Sequence, residues 1–121
     1  MSLPSGPILV VEDDADMRQM LTTMLEVDGQ RVVTATNGKD GFSQARLHHP
    51  RLIILDLMMP VMTGEEFLAA QRSDVSISRI PVLVVSASQD APQVAERMHT
   101  AGCLAKPIDF DALCAFVKET D

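Results

Sequence analysis

A chain of 121 residues has the length of one domain and can bury a core without disulfides or a structural metal. Ten basic residues against seventeen acidic ones give a formal charge of −7; with no Trp, no Tyr and no Lys or Arg cluster, a nucleic-acid surface is excluded. Cys103 and Cys114 show no metal-ligand spacing and read as small core residues of a reducing compartment.

The first predicted strand is PILVV, residues 7–11. Met17, Met20, Leu21, Met24 and Leu25 then recur at i, i+3, i+4, i+7 and i+8, which predicts a helix that Gly29 stops. Its methionines are expected to fill core. RVVTA (31–35) is the second strand, and Asn37 caps a second helix with Phe42 and Ala45 inward and Pro50 closing it. Gly38 and Gly41 weaken that helix intrinsically. RLIIL (51–55) precedes a third helix over 65–72, and PVLVV (81–85) precedes a fourth marked by Ala91, Val94, Ala95 and Met98. Pro92 is tolerable in that helix's first turn. CLA (103–105) and a helix capped by Asp109, with Leu113, Phe116 and Val117 inward, complete the pattern.

This is (βα)₅. Three of the strands are apolar throughout, as parallel strands covered on both faces are. Right-handed crossovers then predict an α/β three-layer sandwich with the flavodoxin-like strand order 2-1-3-4-5. Residues 1–121 are expected to form a single domain with a core over about 7–119 and flexible residues 1–6, Met1, Ser2 and Leu3 being compatible with an expression scar.

In ILDLMMPVMTG (54–64) a single carboxylate, Asp56, interrupts an apolar run. A carboxylate removed from water is costly unless paired, so Asp56 either caps the following turn or belongs to a polar site. Glu12 and Asp13 follow the first strand, Asp56 the third, Ser86 the fourth and Lys106 the fifth. The predicted strand order makes those strands neighbours, and their carboxyl ends meet at the crevice where such sheets bind ligands. Singly, Ser86 and Lys106 are ordinary strand-end residues; their joint placement carries the functional reading.

One Lys does not neutralise three carboxylates, which predicts a divalent cation, and oxygen ligands point to Mg²⁺. Mg²⁺ commonly pairs one or two carboxylates with a phosphate oxygen, so the pocket is expected to meet a phosphoryl group. Asp56 is then the nucleophile that forms an aspartyl phosphate, with Lys106 offsetting charge and the Ser86 hydroxyl bonding one oxygen. Asp14 and Asp16 are explained as helix-start residues, and His48, His49 and His99 as solvated surface residues.

The blocks ILVVEDDADMRQML, LIILDLMMPVMTGEEFL, VLVVSAS and AKPIDFDAL, in this order, resemble the receiver domains of two-component response regulators, relatives of the chemotaxis response regulator. The resemblance covers about residues 7–119. It implies that Asp56 accepts a phosphoryl group from the phosphohistidine of a sensor histidine kinase or phosphotransfer protein. It also implies that Asp13, Asp56 and the backbone carbonyl of Met58 bind Mg²⁺, with Glu12 acting through metal-bound water. Ser86 is implied to move onto the phosphoryl oxygen, Ala87 to leave room and Lys106 to pair with the phosphate. A cis Lys106-Pro107 bond, a turn into the third helix permitted by Gly64 after Pro60, and a phosphorylation-dependent dimer complete what the family suggests. Its effector or output domain is not named by the sequence.

Two departures stand out. Cys103 occupies the position where the family usually has Tyr or Phe, and the stretch from Ser86 to Lys106 is short by a couple of residues, trimming the fourth helix or the loop before Gly102. Met58 and Ser88 lie where the family tunes dephosphorylation.

An aspartate-nucleophile phosphohydrolase typically has a second Asp two residues after the nucleophile, where this chain has Met58. A flavin carrier on the same fold needs a phosphate-cradling loop and aromatics to sandwich the ring. A phosphorylation-independent binding module is opposed by the complete acidic, Asp, Ser and Lys set. The sequence therefore reads as a phosphorylatable signalling switch, not an enzyme, that assists its own phosphotransfer and dephosphorylation. No apolar stretch is long enough to span a bilayer, and MSLPSGP lacks the charged start and hydrophobic run of a signal peptide, so a cytoplasmic setting is expected.

Overall fold

Side chains alternate across the sheet along β1 (Ile8–Val11), and both faces are covered, which is why its sequence is apolar at every position. The computed structural model describes residues 6–59 and 61–120; the expectations for residues 1–5 and for Pro60 lie outside these. Ile8 and Val10 face a layer formed by Leu21 and Leu25 of α1 (Ala15–Val27) and Leu113 and Val117 of α5 (Phe110–Glu119). Leu9 and Val11 face the other layer. It comprises α2 (Gly38–His48), α3 (Gly64–Arg72) and α4 (Ala91–Arg97), which contribute Ala45, Phe67, Leu68, Ala91 and Ala95. Full burial of each such Leu, Ile, Val or Phe contributes about 1.5–3 kcal/mol, and these two cores hold the sheet between its helices.

The remaining strands are β2 (Val32–Ala35), β3 (Leu52–Asp56), β4 (Val82–Ser86) and β5 (Gly102–Ala105). All pairs are parallel and the order is β2-β1-β3-β4-β5, as expected. The strand edges differ from the expectation in one respect: Asp56 and Ser86 are the last residues of β3 and β4 rather than the residues after them. A run of apolar side chains ends at the first polar residue, whereas the ladder continues, pairing Asp56 with Val85 and Ser86 with Ala105.

The helix starts follow the expected caps. Asp14 Oδ1 accepts from Asp16 N at 3.3 Å, Asn37 Oδ1 from Asp40 N at 2.8 Å and Asp109 Oδ2 from Ala112 N at 3.2 Å. Gly29 ends the turn after α1 with a φ of 86°, a conformation that costs little without a Cβ. α4 is the short helix, with seven residues, Pro92 near its start and no side-chain cap. Among the described residues no helix is long and apolar enough to cross a membrane.

Candidate functional site

Strand register brings the polar residues together. Val11 is level with Leu55, so Glu12 and Asp13 leave β1 beside Asp56. Asp56 is in turn level with Val85, which puts Ser86 one step beyond it on β4, and Ser86 is level with Ala105, which puts Lys106 just past β5. Four segments distant in sequence thus deliver one cluster at the carboxyl edge of the sheet.

Lys106 Nζ is the hub. It donates to Glu12 Oε1 at 2.8 Å and to Asp56 Oδ2 at 3.2 Å. Glu12 is 1% exposed and Asp56 3%, so these ionic hydrogen bonds offset a desolvation cost that neither carboxylate would bear alone. The other oxygens are also held: Asp14 N donates to Glu12 Oε2 at 3.2 Å, and Met58 N to Asp56 Oδ1 at 3.0 Å. Asp56 therefore fulfils both sequence readings, one oxygen capping the turn after β3 and the other facing Lys106.

Burial pushes the Glu12 carboxyl above its ordinary range; Lys106 pulls it back, and neighbouring Asp56 adds to the rise. For Lys106 the balance is opposite. Burial favours its neutral form, but the Glu12 hydrogen bond and the Asp56 and Glu12 charges outweigh this and raise it above its usual value. The ammonium form is thus maintained at the hub.

Asp13 is exposed beside this cluster, and one carboxylate oxygen from each of Glu12, Asp13 and Asp56 falls within 4.8 Å of the others. Three carboxylates around one ammonium form an oxygen-rich, anionic pocket of the kind that suits a hard divalent cation.

Ser86 is buried, and its Oγ accepts from Ser88 N at 3.0 Å. Beside it lies a cavity of about 320 Å³, whose lining includes Ala87, Ala91, Pro92 and Cys103. Cys103 is half-buried, and burial pushes its thiol up, away from the reactive thiolate. The Lys106-Pro107 bond is cis, as the family resemblance suggested. Met58 extends an exposed side chain from the β3–α3 loop. His48, His49 and His99 are exposed at the helix ends that lead into β3 and β5, away from the cluster.

Gly64 plays a different part from the one expected. It is not among the residues with positive φ; instead, a Cβ there would stand 2.7 Å from Leu57 Cα and 3.0 Å from the Asp56 carbonyl oxygen. The absent side chain lets α3 start directly against the strand that carries Asp56.

Two supports were not anticipated. Arg18 Nη1 donates to the Glu12 carbonyl at 2.9 Å and the Asp13 carbonyl at 3.4 Å, tying the acidic loop to α1. The clue was a lone Arg one turn into that helix, close after the acidic run it could reach back to. Thr63 and Glu66 form a reciprocal capping box at α3, with Glu66 N to Thr63 Oγ1 at 3.1 Å and Thr63 N to Glu66 Oε1 at 2.9 Å. The Thr-x-x-Glu spacing announces it.

The fold and this cluster together define a signalling module of two-component systems, and the family model of the response regulator receiver domain matches residues 8–118. The chain belongs to that family. It is 34% identical over 108 residues to protein PilH of Pseudomonas aeruginosa, an alignment covering 88% of this chain and 89% of PilH. To the transcriptional regulatory protein CpxR homolog of Haemophilus influenzae it is 33% identical over 113 residues, covering 92% of this chain but 48% of that protein. Among solved structures, the chemotaxis protein CheY4 of Vibrio cholerae superposes with a TM-score of 0.87 at 29% identity, covering 98% of this chain and all of the other.

Proposed function

We propose that the chain is a phosphorylatable switch with Asp56 as the acceptor. The observation that carries this is the Lys106 Nζ bridge to Glu12 and Asp56 at 2.8 and 3.2 Å, at the edge where Ser86 ends the next strand. An Asp56 carboxylate oxygen attacks the phosphorus of a phosphohistidine on a sensor kinase or phosphotransfer protein. The O–P bond forms as the P–N bond breaks, and the imidazole nitrogen leaves with the electron pair and takes up a proton.

The oxygen donors and surplus negative charge of the pocket fit Mg²⁺. Asp13, Asp56 and the Met58 carbonyl would hold it directly, and Glu12 through water. When bound, the ion supplies positive charge opposite the phosphoryl oxygens. Lys106 orients Asp56 before transfer and pairs with the phosphate after it. Met58, two residues after Asp56, carries no acid or base for rapid hydrolysis, which favours a switch over a phosphohydrolase.

The new dianion draws the Ser86 hydroxyl from its present partner, Ser88 N, toward a phosphoryl oxygen. Ala87 and the neighbouring cavity leave room for that motion. The population of β4–α4 and β5 conformers shifts accordingly, and an effector, output domain or second copy of the chain reads the change. Residues 1–121 act as one receiver unit in the cytoplasm, contacting neither nucleic acid nor membrane directly.

Incubation with acetyl phosphate and Mg²⁺, followed by intact-mass measurement, tests this. One added phosphoryl group is expected, absent in Asp56→Asn and in EDTA. If no phosphoryl group is gained under any condition, the chain is a phosphorylation-independent binding module.

A further inference from the structure

The opposite edge of the sheet, where the strands begin, has a cavity of different character. It has a volume of about 380 Å³ and opens between the end of α3 and the segments entering β4 and β5. Arg72, Arg79 and His99 line it with the hydroxyl residues Ser78 and Thr100, and no Asp or Glu is in the lining. Arg72 Nη2 donates to the Met98 carbonyl and, at 3.0 Å, to the His99 carbonyl, which fixes the guanidinium at the wall without neutralising its charge. Arg79 has no hydrogen-bond or ion-pair partner among the described residues.

Two other exposed arginines do meet carboxylates. Arg46 meets Asp74 at 3.4 Å and Arg97 meets Glu65 at 2.9 Å. In a chain with a net charge of −7, two guanidiniums lining one cavity without a carboxylate make a local positive site that suits an anion.

We propose that this cavity binds the phosphate group of a small molecule. A guanidinium presents its N–H groups in a planar fork that matches two oxygens of a phosphate, and hydroxyl donors complete such a shell. The volume lies at the lower end of the range for small-ligand pockets, so a phosphate with a modest organic body fits as well as the free ion. The site lies at the strand edge opposite Asp56 and does not depend on the phosphoacceptor reading.

Backbone amide NMR of the full chain tests this, in EDTA at constant ionic strength, with inorganic phosphate and ribose 5-phosphate titrated separately. Saturable shifts are expected at Arg79, Thr100 and Ala101. Arg79→Gln, an exposed change that disturbs no partner, should weaken the apparent affinity about tenfold, as loss of a charged hydrogen-bond pair does. Arg79→Lys, which keeps the charge but loses the fork, should fall between the two. Asp56→Asn should bind like the parent. Tighter binding of ribose 5-phosphate identifies an organic monoester as the source, and equal binding identifies free phosphate. The proposal is overturned by shifts that do not saturate, or by equal affinities of the Arg79→Gln variant and the parent for both probes.

Discussion

β3 and β5 deliver two partners of one ion pair, yet Leu52–Asp56 is buried at every position and no residue of Gly102–Ala105 is fully buried. The helices repeat the contrast. α3 opens on the Thr63–Glu66 capping box, whereas seven-residue α4 lacks a side-chain cap and flanks cavities on the Ser86 and Cys103 side. Local stability follows buried apolar contact and satisfied helix ends, so the proposed acceptor Asp56 stands on the firm half and the Ser86–Lys106 stretch spans the looser half. For the proposed switch this division is useful: a reacting carboxylate would need fixed geometry, and a responding segment would need two conformations of similar free energy.

The largest test of that contrast is a pair of truncations. Leu55→Ala empties a fully buried position on β3 and is expected to cost about 2–5 kcal/mol in urea unfolding. Leu104→Ala, on half-buried β5, should cost about 1 kcal/mol. Equal losses would mean that β5 is as tightly bound into the core as β3.

Two glycines give a smaller contrast. At Gly64 an added methyl meets backbone, Leu57 Cα and the Asp56 carbonyl, neither of which can move without shifting Asp56. At Gly102 it meets the Phe116 ring edge at 2.6 Å, a side chain that can turn aside. Gly64→Ala should therefore cost about 2 kcal/mol and slow phosphorylation by acetyl phosphate, while Gly102→Ala should cost under about 1 kcal/mol and leave that rate unchanged. A slower reaction in Gly102→Ala would show that β5 holds Lys106 more rigidly than its burial implies.

Most of the fold was legible because its signals are local. Apolar runs marked all five strands, and Asp14, Asn37 and Asp109 marked three helix starts. The cluster was legible at one remove, since strand order converts strand-end residues into neighbours. What escaped depended on three-dimensional approach. Arg18 returns to the carbonyls of the loop before its own helix, and Gly64 is required by the closeness of two backbones rather than by a turn. That Arg72, at the end of α3, and Arg79, in the loop that follows, line one cavity also escaped, because no periodicity reports the path of a loop.

The smallest expected effect is the most specific probe of the looser half. Cys103 lines the cavity beside Ser86 and leaves it partly unfilled, so Cys103→Leu adds apolar volume where the surrounding atoms have no partner. A gain of about 0.5–1 kcal/mol is expected from the urea midpoint, with an unchanged slope. The same filling removes room that the Ser86–Ala87 segment would use, so amide exchange in α4 should slow. A loss of stability instead of a gain would mean that α4 already settles onto β5 in solution, and that the contrast between the halves is one of shape rather than of stability.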